Sequence, residues 1–197
     1  MGECPLVPII LDACCLLNLY ASGRLKEIAK ALPEPLVVSD YVLEKEALSV
    51  RYKESDQDEE QKKPVDITPL LSAGLIKVIS INSEKEQETF IDLATELDDG
   101  EAITVSLAEH RGCQVATDDR KALKVISERA SVQATSTLEL VKRWAEARNV
   151  SREEIRSVLA LIWTGASYYP GERDPLYIWW RDMMSETKEA NNKGTTH

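Results

Sequence analysis

Histidine is nearly missing from this chain, and its scarcity removes whole classes of chemistry. Two occur in 197 residues, His110 and His197, so a serine–histidine–aspartate triad and an HExxH zinc site both lack material. There is no GxxxxGK[ST] loop to cradle a nucleotide phosphate. No apolar run at the start is long enough to span a bilayer, because Asp12 interrupts it, and no cationic stretch precedes it in MGECPL. Leu6 stands where a myristoylation signal places Ser or Thr. A soluble, unanchored protein with no membrane partner is therefore expected. Cysteines number four, but Cys14 and Cys15 are adjacent in an apolar segment, which is not the spacing of a secreted disulfide framework; a reducing cytoplasm is expected. Positive charge is also short, with 24 basic against 34 acidic residues and a net charge of −10. Such a chain has no general attraction for phosphate backbones, so any handling of nucleic acid needs a local basic patch, a metal or a partner.

What is present is a repeated alternation of short apolar runs and amphipathic stretches. Val7 to Leu11 reads as a buried strand that runs into Asp12, after which Leu16, Leu19 and Tyr20 keep helical spacing to about Lys30, with Gly23 as a break. Leu36 to Val38, Lys77 to Ile81, Gln114 to Thr117 and Ser131 to Thr135 read as further strands. Between them lie helical patterns, including one over Val42, Leu43, Ala47 and Val50 and one opened by a Ser83/Glu86 capping box. Strands alternating with helices predict an α/β fold, a parallel sheet of about five strands sandwiched by helices. Residues 1–148 carry this pattern. The segment KESDQDEEQKK at 53–63 has no apolar residue and reads as a solvated loop. Residues 149–186 form a helical extension with an aromatic stretch at Tyr177, Trp179 and Trp180, expected to cover an apolar edge or build a homodimer contact. Residues 187–197 read as a disordered tail.

Acids recur where strand turns to helix. Asp12 follows the first strand, and ligands of open parallel sheets bind outside the strands' carboxyl ends; on local grounds it reads equally as a helix cap. Asp118 and Asp119 follow the fourth strand, and Asp98, Asp99 and Glu101 cluster around a helix start, where the helix dipole alone also favours acids. On the helix after the second strand, Glu46 falls between Val50 and Val42 on the apolar face while Glu44 points away. Carboxylates brought that close would repel one another unless a cation neutralised them, and hard oxygen ligands suit Mg²⁺ or Mn²⁺.

The runs ILDACCLLNLYASG, ELDDGEAITVSLA and VATDDRKALKVI, in that order and spacing, resemble the three signature blocks of PIN-domain proteins, metal-dependent ribonucleases that include many toxin halves of toxin–antitoxin pairs. The resemblance covers about Pro5 to Arg148. It implies an acid-lined groove at the strand ends, with Asp12 as first acid, Glu101 as third and Asp119 as fourth, Asp118 standing beside it as a second candidate. The second acid is Glu46 by its helical face, with Glu44 as the fallback. Asn18 matches a polar position of the first block and offers a supporting hydrogen bond, exposure on the helix being the default, and Asp98 is a further acid behind the direct ligands. The implied activity is hydrolysis of RNA phosphodiesters with Mg²⁺ or Mn²⁺ and no protein nucleophile. Arg120, Lys121 and Lys124, with Lys142 and Arg143 further off, are the candidate RNA contacts, and a small antitoxin protein is the implied partner. The competing expectation is a PIN-like binding module acting through its Tyr177 to Trp180 surface. A haloacid-dehalogenase-like phosphatase is excluded because Cys14 stands where it needs a second Asp.

Overall fold

The computed structural model describes residues 6–46, 48–52, 61–129 and 131–185. The tail expected at 187–197, most of the acidic segment and Ala47 lie outside the described residues. Five parallel strands form the main sheet: β1 (Ile9–Leu11), β2 (Leu36–Ser39), β5 (Ile76–Ile79), β6 (Gln114–Ala116) and β7 (Gln133–Thr135), in the order β5-β2-β1-β6-β7. β1 is central, with Leu11 opposite Val38 on one side and Ala116 on the other. Its three residues are fully buried, as a strand covered on both faces requires.

Because successive strand residues face opposite ways, the sheet splits its side chains between two cores. Ile9, Leu11, Leu36 and Val38 meet α1 (Ala13–Ala21), α2 (Leu25–Ala31), α8 (Thr137–Arg148) and α9 (Arg152–Ala166). Ile10, Val37 and Val115 meet α5 (Glu84–Leu93), α6 (Asp99–Arg111) and α7 (Arg120–Ser127). The expected sandwich is thus observed. Gly23, at φ +66°, supplies the left-handed turn that separates α1 from α2. The Ser83/Glu86 capping box at the start of α5 is formed.

Two expectations need correction. The helix predicted through Val50 stops early: α3 (Asp40–Lys45) is followed by β3 (Ser49–Tyr52), which pairs antiparallel with β4 (Gln61–Pro64). Val50 is buried as the inward residue of a strand rather than of a helix. Gln61 to Lys63, the last residues of the stretch read as a loop, are accordingly strand, and α4 (Thr68–Ser72) follows.

The C-terminal segment packs on the first core. Ile155, Val158, Leu159 and Ile162 of α9 are buried, and Leu176, Trp179, Trp180, Met183 and Met184, in or just before α10 (Tyr177–Met184), pack against them. Gly165 permits the approach: a Cβ there would stand 3.1 Å from that of Ala21. Among the described residues no helix is long and apolar enough to cross a membrane.

Candidate active site

The carboxyl ends of β1 and β6 bring the first acids together through backbone pairing. The Asp12 amide donates to the Ala116 carbonyl (3.0 Å), and the Asp12 side chain, 3 % exposed, caps α1 by accepting from the Ala13 amide (2.6 Å). Its second oxygen accepts from the Thr117 hydroxyl (2.9 Å) and the Cys14 thiol (3.2 Å). The cap and site interpretations of Asp12 are therefore compatible: one oxygen serves the helix and the other faces the β6 loop. Burial raises the Asp12 carboxyl above its ordinary value, its hydrogen bonds oppose that rise, and the Asp98 charge adds to it.

Thr117 escaped sequence reasoning. It is fully buried, and the same hydroxyl that donates to Asp12 accepts from the Asp119 amide (3.1 Å). One side chain thus fixes the spacing of two acids that are far apart in sequence. The signal was a threonine between an apolar strand and two aspartates. Asp119 itself caps α7, its Oδ1 accepting from the Lys121 (2.7 Å) and Ala122 (2.9 Å) amides.

α6 carries the third acid. Asp98 caps it, accepting from the Glu101 amide (2.9 Å), and Glu101 reaches back toward the Asp98 amide (3.4 Å), a capping box not foreseen from sequence. Glu101 is pushed up to about 7, first by burial and then by the charges of Asp119, Asp98 and Asp12. Glu46 is raised by burial and by Asp98, Asp12 and Asp99. It reaches the cluster from the C-terminal end of α3, not from the middle of a longer helix as predicted. Its carboxylate lies over Gly100, where a Cβ would come within 2.7 Å of Glu46 Oε1. Glu44 is exposed.

Asp118 goes elsewhere. Its carboxylate accepts from the Thr137 backbone amide (3.0 Å) and hydroxyl, the Asn18 side-chain Nδ2 (2.9 Å), the Tyr168 hydroxyl (3.1 Å) and the Cys15 thiol (3.3 Å). Asn18 is buried rather than exposed, and it supports Asp118. Of the candidate RNA contacts, Arg120, Lys121 and Lys124 are exposed on α7 beside Asp119, with the Arg120 guanidinium against Gly171. Lys142 and Arg143 are engaged with Glu146 and Glu34.

Asp12, Glu46, Glu101 and Asp119 therefore converge, and the main charges acting on the first three are themselves carboxylates. A donor set of hard oxygens without a compensating cation suits a divalent ion of the Mg²⁺ or Mn²⁺ kind. Among the described residues, the three potential ligand atoms that lie within 4.8 Å of one another are those of Cys14, Cys15 and Asp118. No three of the four acids meet that spacing.

No curated relative matches the chain. A family model described as a PIN domain, DUF3368, matches residues 8–172, so the β3–β4 hairpin and α9 lie inside the family's span. With a parallel sheet, converging acids at its strand ends and a family match over most of its length, the chain belongs to the PIN-domain family.

Proposed function

We propose that this protein is a divalent-metal-dependent endoribonuclease. PIN domains are generally metal-dependent nucleases; RNA as substrate and Mg²⁺ or Mn²⁺ as the ion are the finer parts of this reading. Asp12, Glu101 and Asp119 would hold the ion, with Glu46 completing its shell or orienting the attacking water. When bound, such an ion supplies charge to the phosphoryl oxygens and acidifies a water. Thr117 keeps Asp12 and Asp119 in register, and Arg120, Lys121 and Lys124 offer cations for the RNA backbone on an otherwise acidic molecule. No protein nucleophile is required.

The observation that carries the reading is the gathering of acids at the strand ends, where Thr117 ties Asp12 to Asp119 and where Glu101 is raised to about 7, first by burial and then by the charges of Asp119, Asp98 and Asp12. A binding module acting through the 177–180 aromatics is less well supported, because Trp179 and Trp180 pack against the core. The described cysteines Cys14, Cys15 and Cys113 are free.

The test is cleavage of RNA with and without EDTA, with Mn²⁺ added back, for the wild type, Asp12→Asn and Asp119→Asn. Cleavage that EDTA abolishes and both variants lack is expected. Undiminished metal-dependent cleavage by both variants overturns the assignment. A toxin role with a small antitoxin partner predicts growth arrest on expression of the wild type and normal growth with Asp12→Asn; normal growth with both removes that role.

A further inference from the structure

The two thiols that open α1 add sulfur beside the carboxylates: Cys14 donates to Asp12 Oδ2 at 3.2 Å and Cys15 to Asp118 Oδ2 at 3.3 Å. Cys14 and Cys15 are the second and third residues of the helix, and their sulfurs lie within 4.8 Å of each other and of an Asp118 oxygen. Cys15 Sγ is already 3.3 Å from Asp118 Oδ2, and the Asp118 amide donates to Cys14 Sγ at 3.4 Å. A tetrahedral zinc, with bonds of about 2.3 Å to sulfur and about 2.1 Å to oxygen, needs its ligand atoms about 3.6–3.8 Å apart. The trio meets that spacing with side-chain movements of about 1 Å or less. Asp118 is anchored through both oxygens: its Oδ1 accepts from the Thr137 amide (3.0 Å) and the Tyr168 hydroxyl (3.1 Å), and its Oδ2 accepts from the Asn18 side-chain amide (2.9 Å) and the Thr137 hydroxyl as well as from the Cys15 thiol, the one donor that an ion would replace. Cys15 is buried, whereas Cys14 is half-buried.

We propose that Cys14, Cys15 and Asp118 form a second cation site, distinct from the acid cluster and selective for a soft divalent ion of the zinc class. Thiolates favour such ions over Mg²⁺ and Mn²⁺, which prefer an all-oxygen shell. Binding exchanges two S–H bonds for two sulfur–metal bonds, with both protons released to solvent and no change of oxidation state. The ion replaces the thiol proton that Cys15 now gives to Asp118 and removes the Cys14 donor from Asp12 Oδ2, at 3.2 Å. Zinc would thereby act on the acid cluster through its neighbour. The site does not depend on the nuclease reading.

The experiment is titration of the full reduced chain with Co²⁺ in excess Mg²⁺, followed by thiolate-to-metal absorption in the near ultraviolet, and then back-titration with Zn²⁺. A saturable band that Zn²⁺ removes is expected, present in a Cys4→Ser/Cys113→Ser variant and weakened at least about tenfold in affinity by Cys14→Ser. Cys15→Ala should remove it too, but its burial puts folding at risk, so Cys14→Ser, checked by circular dichroism, decides. Co²⁺ binding without a thiolate band, or a band that survives in Cys14→Ser, overturns the proposal. RNA cleavage is not read in this titration, so failure of the nuclease assignment leaves its result intact.

Discussion

Replacing Glu101 with glutamine should stabilise the metal-free protein, because it removes charge from a place where charge is disfavoured. The folded carboxyl is raised from 4.5 to about 7. A raised carboxyl binds its proton more tightly folded than unfolded. Its penalty is therefore absent below 4.5, grows as pH rises, and is complete above about 7. A rise of that size is equivalent to about 3 kcal/mol. Glu101 is partly solvated, and screening lowers this to about 1–2 kcal/mol. Glutamine keeps a side-chain oxygen that can accept from the Asp98 amide in place of the Glu101 carboxylate oxygen, so the capping box survives. For a chain of this length the gain corresponds to a Tm increase of about 2–8 °C at about pH 8, vanishing at about pH 4. Mn²⁺ at a hundredfold excess over its Kd should add about 2.7 kcal/mol to the wild type and far less to the variant. Thermal melts at the two pH values, with and without Mn²⁺, read all four quantities. A variant that melts no higher than the wild type at high pH, or by the same margin at both, refutes the account of a repulsive, cation-seeking cluster.

Gly100→Ala should place a methyl group 2.7 Å from Glu46 Oε1, the free end of a side chain that can swing away. Stability should change by less than about 1 kcal/mol, while Mn²⁺ affinity falls about tenfold; unchanged affinity by calorimetric titration removes Glu46 from the ion's surroundings. Arg111→Met should strand Glu86, which is 3 % exposed, paired to Arg111 at 2.7 Å and lowered to about 2 chiefly by that hydrogen bond. Because Glu86 keeps the Asn82 and Ser83 amide donors, the loss should be about 1–3 kcal/mol near neutrality. It should shrink as pH falls from 4.5 toward 2, where a depressed carboxyl gives up its stabilisation. Urea unfolding at both ends of that range checks it, and a pH-independent difference assigns the loss to packing alone.

Local signals were legible in the sequence, and contacts closed over long distances were not. The run Ile9–Leu11 is buried on both faces and had to read as a continuous apolar stretch; Ser83 and Glu86 announce a capping box three residues apart. α8 begins and ends where its periodicity does, at Thr137 and Arg148. Val50 misled because a single buried valine five residues after Lys45 satisfies helical and strand periods alike, and the pairing of Val50 with Lys63 that decides the matter is made across the acidic segment. Glu46 was reached by the wrong route: it joins the acids because α3 ends beside α6, a tertiary fact. Asn18, Thr137 and Tyr168 were invisible as partners of Asp118 for the same reason, lying 100, 19 and 50 residues from it.

The adjacent aspartates show how one turn divides two tasks. Leaving β6 in extended conformation, successive side chains point to opposite sides. Asp119 comes out on the side of Asp12 and Glu101, fastened by the Lys121 and Ala122 amides and, through its own amide, by Thr117. Asp118 comes out on the side of α1 and α8, where five donors surround it. Those donors compensate its charge, whereas Glu101 has a single long hydrogen bond and three acidic neighbours. A hard cation, which takes oxygen ligands alone, has most to gain where carboxylate charge is least compensated. The same two-residue motif thus yields one aspartate that ties the C-terminal segment to the core through Tyr168 and one that faces the cluster. Which of the two would hold a hard ion follows from their hydrogen-bond partners, since their positions in the sequence are equivalent.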